Sequence, residues 1–395
     1  MNSSLPYKPV LVVVLSRFPF PLEKGDKLRA YFQLRDLSEF FDIELICTTE
    51  KKVDAKSKSE VQKFCRTVHI FQLNRFFILL RLASSFLTKK PFQVSYFYQR
   101  RIHKKINTIL EDVRPDHIYC QLIRTTEYVK NYHNCPKTID YMDALSKGME
   151  RRYENSRGLF SFIFRSESER LYRYERQIFD YFEHHTIISE QDRQYIGHPD
   201  RNKIQVIPNG VNEIFFQEFS RDKQYDILFT GNMSYQPNVE AACYLSEVIR
   251  PLLPDSIRFL VSGANPSRSV QQLSSRNFTI GGWIEDIRES YAASRIFVAP
   301  MMTGTGLQNK LLEAMAMGLP CITTPLANNA LKAIHNEHIL IADSPEEFRD
   351  AVLRLLSDPV LYKNISHNGK LFIEQHYQWK SAGKRLTSIL LSGNH

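Results

Sequence analysis

No window of the 395 residues reaches about 18 uninterrupted apolar positions, so nothing in the sequence reads as a bilayer-spanning helix. The nearest stretch, Phe76 to Leu87, is cut by Arg81 and followed by Lys89 and Lys90. The six cysteines, Cys47, Cys65, Cys120, Cys135, Cys243 and Cys321, form no C-x-x-C pair and have no companion histidine spacing. That argues against zinc and for reduced, mostly buried thiols of a cytoplasmic chain. No D-x-D pair stands in a supporting context, so no divalent metal site is expected. Internal repeats and low-complexity tracts are missing as well. There is no helix-turn-helix, RNA-binding strand signature or basic repeat, which removes nucleic acid as the expected partner. Val10 to Leu15 is apolar but lacks a basic leader and a small-residue cleavage site, and it reads as a first strand instead of a signal peptide.

The net charge is +9 and the pI near 9.1, which calls for an acidic partner. Basic residues flank apolar ones in Arg75-Phe76-Phe77-Ile78-Leu79-Leu80-Arg81, and Arg100, Arg101, Lys104 and Lys105 follow. Two readings are open for this segment: contact with an anionic membrane surface, which would place the protein on the inner face of the cytoplasmic membrane, or a core helix with solvated basic residues.

At 395 residues the chain exceeds the size at which a single core keeps growing, so two domains are expected. Strand-like runs alternate with helical ones: Val10–Leu15, Ile43–Thr48, Val68–Phe71, His117–Cys120, Lys137–Tyr141 and Thr186–Ile188. A charged and aromatic segment, Gly158 to Phe182, predicts one extended helix. A second series follows Pro208-Asn209-Gly210: Asp226–Thr230, Ile257–Val261, Phe278–Ile280, Ile296–Ala299, Cys321–Thr323 and Ile339–Ile341. The pattern predicts an α/β protein of two tandem doubly wound, Rossmann-like domains, 1–207 and 208–377, with any ligand in a cleft between them. Pro208-Asn209-Gly210 has strong turn chemistry and serves as the hinge.

The most informative stretch runs from Pro300 to Gly318. A glycine-containing turn follows the strand Ile296–Ala299 and opens a helix at about Leu307, which stops at Gly318 ahead of Pro320. Free amides and the positive end of a helix dipole suit a phosphate there. Lys310, in the first turn, adds a full charge. Glu313 is one turn further on and accepts only, which suits paired sugar hydroxyls. As a local pattern, an ordinary βα turn fits equally well, and Glu313 taken alone reads as a surface helix glutamate.

The order of motifs narrows this choice. Pro208-Asn209-Gly210-Val211, Gly281-Gly282-Trp283-Ile284-Glu285-Asp286 and Gly304-Thr305-Gly306-x-x-x-Lys310-x-x-Glu313 together resemble a retaining GT-B glycosyltransferase of the large nucleotide-sugar family 4, the bacterial polysaccharide and lipopolysaccharide type. The pattern from Tyr377-Gln378-Trp379 to Leu391 is similar to that family's last helix, which crosses back onto the first domain, so 378–395 is expected to join it. The resemblance implies a hexosyltransferase-type enzyme that is metal-independent and has no bound cofactor, with a nucleoside diphosphate sugar, UDP or GDP not decided, as co-substrate. It implies a glycan or lipid-linked acceptor. The donor side would comprise Gly231, Asn232, Gly282, Trp283, Gly304, Thr305, Gly306, Leu307, Lys310 and Glu313, with the Gly281-Gly282-Trp283 turn meeting the base, unless that turn is structural and Trp283 caps the core. On the acceptor side stand Gly25, Lys27 and Arg29, the last two steering an anionic acceptor or else exposed at a capped helix start. Lys310, Asp143 and Arg124 would carry the chemistry, Asp143 and Arg124 touching acceptor or leaving group.

Two departures from the family pattern matter. The second glutamate of its E-x7-E motif is Thr305 here, so sugar contacts must come from Thr305 and the backbone of residues 303–306. The arginine and lysine that clamp the donor diphosphate are replaced in Gly231-Asn232-Met233-Ser234-Tyr235-Gln236-Pro237-Asn238. A diphosphate held by one lysine and amide dipoles remains feasible. The loss also fits a catalytically silent GT-B subunit acting through a partner. A nucleotide-sugar epimerase would need carboxylates and histidines that the sequence does not offer.

Overall fold

The computed structural model describes residues 8–154, 156–303 and 306–392. The chain divides into two compact units, Met1–Pro208 with Trp379–His395, and Asn209–Gln378. Each division falls one residue later than the expected 207/208 and 377/378.

The first unit carries seven strands: β1 (Val10–Leu15), β2 (Asp42–Thr49), β3 (Thr67–Gln72), β4 (His117–Gln121), β5 (Lys137–Asp140), β6 (His184–Ile187) and β7 (Gln205–Val206). They form one parallel sheet in the order β3-β2-β1-β4-β5-β6-β7. Helices cover both faces, which is why β1 reads as an unbroken apolar run and not an alternating one. Alternate residues still feed opposite faces: Val12 and Val14 join one core cluster, Leu11, Val13 and Leu15 the other. β7 was not expected; two residues carry no readable period. The expected long helix spans Leu159–Ile178 and tightens into a 3-10 turn at Phe179–Tyr181.

The helix Trp379–Leu391 belongs to this unit. Leu386, Ile389 and Leu390 share a core cluster with Leu34 and Leu37 of the helix Gly25–Leu37, and Trp379 stacks on Phe32 with ring centres 5.0 Å apart. The two helices approach closely because Gly383 has no side chain; a Cβ there would sit 2.7 Å from Asp36 Cβ.

The second unit carries β8 (Tyr225–Thr230), β9 (Phe259–Ser262), β10 (Phe278–Gly282), β11 (Ser294–Ala299), β12 (Cys321–Thr323) and β13 (Leu340–Ile341). These are also all parallel, in the order β10-β9-β8-β11-β12-β13. β9 begins two residues later than expected because the Ile257 amide turns back to the Pro254 carbonyl at 3.0 Å. Sheet order reverses between β1 and β4 in one unit and between β8 and β11 in the other, the positions at which such sheets take ligands.

Arg29 overturns an expectation. It is 0% exposed, so it cannot steer an acceptor. Its Nε and Nη2 donate to the two oxygens of Asp140 at 2.6 and 3.2 Å, and Nη1 donates to the Ile207 carbonyl at 3.0 Å. Tyr119 and Thr186 hydroxyls donate to the same carboxylate at 2.8 and 3.0 Å. This ties β4, β5, β6 and the first helix around one charge pair. Removing one partner strands the other in an apolar interior. Arg29→Ala should cost about 3–5 kcal/mol in urea unfolding, while Arg29→Met with Asp140→Leu should recover most of that loss.

Candidate functional site

In the second unit, the carboxyl ends of β8, β9 and β10 are laced together through glycines. The Gly231 amide donates to the Ser262 carbonyl at 3.1 Å, and the Gly263 amide donates to the Gly282 carbonyl at 2.7 Å. A Cβ on Gly263 (φ 141°) would lie 1.7 Å from the Gly231 carbonyl oxygen, so only glycine fits. Gly263 was not picked out from the sequence, because an isolated glycine after a strand carries no local signal of such an approach.

Across the switch point, β11 ends at Ala299 and the helix Asn309–Ala316 begins two residues later than Leu307. Gln308 precedes it without a capping side-chain bond, and Gly318, at φ 74°, closes it. Gly304 and Thr305, both expected at the donor, lie outside the described residues. Gly306 is buried at φ 79°. Leu307 packs against the unit's core, so its side chain supports the loop and does not offer itself to a ligand.

Lys310 and Glu313 stand one turn apart on this helix, and both are half-buried. The Lys310 ammonium meets Asn238 Oδ1, Met301 Sδ at 3.6 Å and the Phe229 ring at 4.9 Å, none of which carries a charge. Burial lowers its pKa from 10.5 to about 7, offset in part by Glu313. Glu313 accepts from the Tyr291 hydroxyl at 2.9 Å; burial raises its pKa from 4.5 to about 7 against the pull of Tyr291 and Lys310. Among the described residues Tyr291 is its sole hydrogen-bond partner, which leaves one carboxylate oxygen for a ligand.

Asn238, Tyr291 and Thr230 complete the site and were not anticipated. Asn238 reads from the sequence as a lost cation. In the structure its Nδ2 donates to the Asn232 carbonyl at 2.9 Å and its Oδ1 receives Lys310, so it anchors the cation that remains. Tyr291, 0% exposed, bridges Thr230 Oγ1 at 2.9 Å and Glu313. Asn232 Oδ1 accepts from the Ser234 amide and hydroxyl at 3.0 and 2.8 Å, so its side-chain oxygen holds a turn. Trp283 is 70% exposed beside Gly282 (φ 64°), which overturns the alternative in which it caps the core.

In the first unit, Gly25 is exposed, and a Cβ added there would meet nothing within 4 Å. Lys27 is half-buried, and that burial lowers its pKa. Asp143 follows β5 and has its pKa pushed well above the carboxylate range, first by burial and then by Asp192. Arg124 donates Nε and Nη2 to Gln93 Oε1 at 3.1 and 2.7 Å, and burial, then Arg17, lowers its pKa to about 10. The helix Arg75–Thr88 buries only Ile78 and Ser85 fully. Phe76, Leu79, Leu80, Phe86 and Leu87 are 51–88% exposed, which overturns the core-helix alternative. No helix of the described residues is long and apolar enough to cross a membrane.

Residues 224–358 match the family model described as glycosyl transferases group 1. An Anabaena protein, Alr3699/HepE, solved in complex with UDP and glucose, superposes with a TM-score of 0.70 at 13% identity, covering 96% of this chain and 99% of that one. The fold is that of the GT-B glycosyltransferases. Over 399 residues, the chain is 23% identical to an uncharacterized 44.6 kDa protein in the cps region of Klebsiella pneumoniae, spanning 94% of this chain and 97% of that one. Over 187 residues it is 31% identical to the Escherichia coli UDP-Gal:alpha-D-GlcNAc-diphosphoundecaprenol alpha-1,3-galactosyltransferase, 41% of this chain and 47% of that protein.

The Lys310–Glu313 pair gives this site a pH signature. Between about 7 and 10.5 the unfolded chain holds the extra proton on Lys310, so stability rises with pH there. Between 4.5 and about 7 the folded chain holds the extra proton on Glu313, so stability falls as pH rises. Urea midpoints of the ligand-free protein, referenced to Lys310→Met/Glu313→Gln, should show the smallest advantage near pH 7 and larger ones at pH 5 and 9.

Proposed function

We propose that the protein is a retaining, metal-independent glycosyltransferase that moves a sugar from a nucleoside diphosphate sugar to a polysaccharide or lipid-linked acceptor. The observation that carries this is Lys310: a cation held by three neutral groups, at the mouth of a helix, at the sheet's switch point, with a half-satisfied carboxylate one turn away. An incoming diphosphate supplies an anion in direct contact with Lys310, which no carboxylate among the described residues touches, and the free oxygen of Glu313 accepts from ribose hydroxyls. The Anabaena structure, which holds UDP and glucose, and the Escherichia coli relative, named for a diphosphoundecaprenol-linked substrate, support this reading.

In the proposed reaction the bond from the sugar's anomeric carbon to the diphosphate oxygen breaks, and its electron pair stays on the phosphate. The acceptor oxygen attacks the same face, and its proton passes to the departing phosphate. Lys310 and the helix amides stabilise the charge that builds there. Asp143 and Arg124 touch the acceptor or the departing phosphate. Gly25 and Lys27 line the acceptor side, and the exposed face of the helix Arg75–Thr88, with Arg75, Lys89, Arg100 and Arg101 around it, rests on an anionic membrane.

UDP or GDP should raise the thermal midpoint, and Lys310→Ala and Glu313→Ala should each lower kcat/KM about a hundredfold or more while preserving the fold. Because a bound diphosphate raises the Lys310 pKa, calorimetry at pH 8 in two buffers of different ionisation enthalpy should show proton uptake that Lys310→Met abolishes. No binding of any nucleotide would overturn the donor assignment. Anionic liposomes should float the protein at low salt and release it at high salt, and Leu79→Glu/Leu87→Glu should not float; salt-independent behaviour would refute the electrostatic part.

A further inference from the structure

The sheet of the first unit has its own switch point, and two arginines occupy it. Arg17 follows β1 and Arg124 follows β4, the neighbouring strands from which the sheet order runs in opposite directions. Their guanidinium carbons lie 5.8 and 5.6 Å from the centre of the same ring, Phe97, which is buried. Arg17 Nη1 donates to Asp26 Oδ2 at 2.6 Å. Arg124 spends its Nε and Nη2 on a single neutral oxygen, Gln93 Oε1, and its Nη1 has no partner among the described residues. Gln93 Nε2 is itself buried and unpartnered.

The charges do not cancel. Burial pushes the Asp26 carboxyl up, but the charge and hydrogen bond of Arg17 outweigh it and hold the pKa below the ordinary value, so Asp26 is one full negative charge. Among the described residues no carboxylate hydrogen-bonds to Arg124; Glu167 accepts instead from the Phe92 and Gln93 amides at 2.7 and 3.0 Å. Arg152 adds positive charge towards Arg124 and Lys24 towards Asp26. Two guanidinium forks thus share one carboxylate, in a half-buried place where charge is poorly screened. Forks from two strands match an anion with several oxygens better than a single carboxylate.

We propose that Arg17 and Arg124 form a phosphate clamp, the place where the first unit takes the anionic group of a phosphorylated acceptor, either a glycosyl phosphate or a lipid-linked diphosphate. The word acceptor rests on the transferase reading; the anion site does not. Phe97 fixes the spacing of the forks, and Gln93 orients Arg124 without neutralising it.

Inorganic pyrophosphate titrated calorimetrically into the Lys310→Ala protein, in which the second unit's cation is gone, tests the site alone. It should bind, and Arg17→Gln and Arg124→Gln should each weaken it about tenfold or more, Arg124→Lys less, with thermal unfolding reporting that each variant folds. Equal affinity in all variants overturns the clamp. In turnover with the wild-type Lys310, Arg17→Gln should raise KM for a phosphorylated acceptor about tenfold and leave KM for an unphosphorylated glycan and for the donor unaltered. The larger rise, with glycosyl phosphate or with lipid diphosphate, identifies which source the clamp reads; equal rises with every acceptor refute it. If no nucleotide binds the wild-type protein, the transferase reading falls while the pyrophosphate result still decides the anion site.

Discussion

Parallel pairing is the constraint from which the rest follows. Because every strand in each sheet runs the same way, all carboxyl ends arrive at one edge, and the crossover helices begin there with their amides unsatisfied. At the point where strand order reverses, the loops diverge and leave room. The second unit puts Gly231 and the Lys310 helix there; the first puts Arg17 and Arg124 there. Two sheets with different sequences thus present cations at equivalent positions of the same topology.

What distinguishes these cations is the company they keep. Arg29 is closed off by Asp140, itself held by Tyr119 and Thr186, and by the Ile207 carbonyl, and serves to hold strands together. Lys310 is held by an amide oxygen, a thioether and a ring, and Arg124 by an amide oxygen and a ring. Neutral holders fix a cation's position without quenching its charge, at the cost of a lowered pKa. In the proposed readings that cost is recovered when an anion arrives. Asn238 illustrates the economy of this arrangement, because one amide both closes the Gly231 turn and aims Lys310.

The apolar surface follows a similar logic on a larger scale. The helix Arg75–Thr88 has one fully buried aliphatic residue and a row of large exposed ones, and the proposed membrane contact would cover that row while the basic residues around it meet anionic lipid. A lipid-linked acceptor is found at such a surface, so the proposed membrane contact, phosphate clamp and donor site form one consistent set.

Much of the fold was legible because its signals are local. The apolar runs of β1 and β11, the turn at Pro208-Asn209-Gly210 and the stop at Gly318 are readable in a few residues, and the i, i+3 spacing of Lys310 and Glu313 puts them on one helix face without any tertiary knowledge. Residue type and spacing therefore determined the two parallel α/β sheets and the first half of the candidate site. Only the tertiary structure decided which charges are spent and which are free. Arg29 and Asp140 are 111 residues apart, Lys310 and Asn238 are 72, and Tyr291 meets Glu313 across 22. A charged side chain's role is set by the groups that replace its water, and those groups come from distant segments that no local pattern brings together.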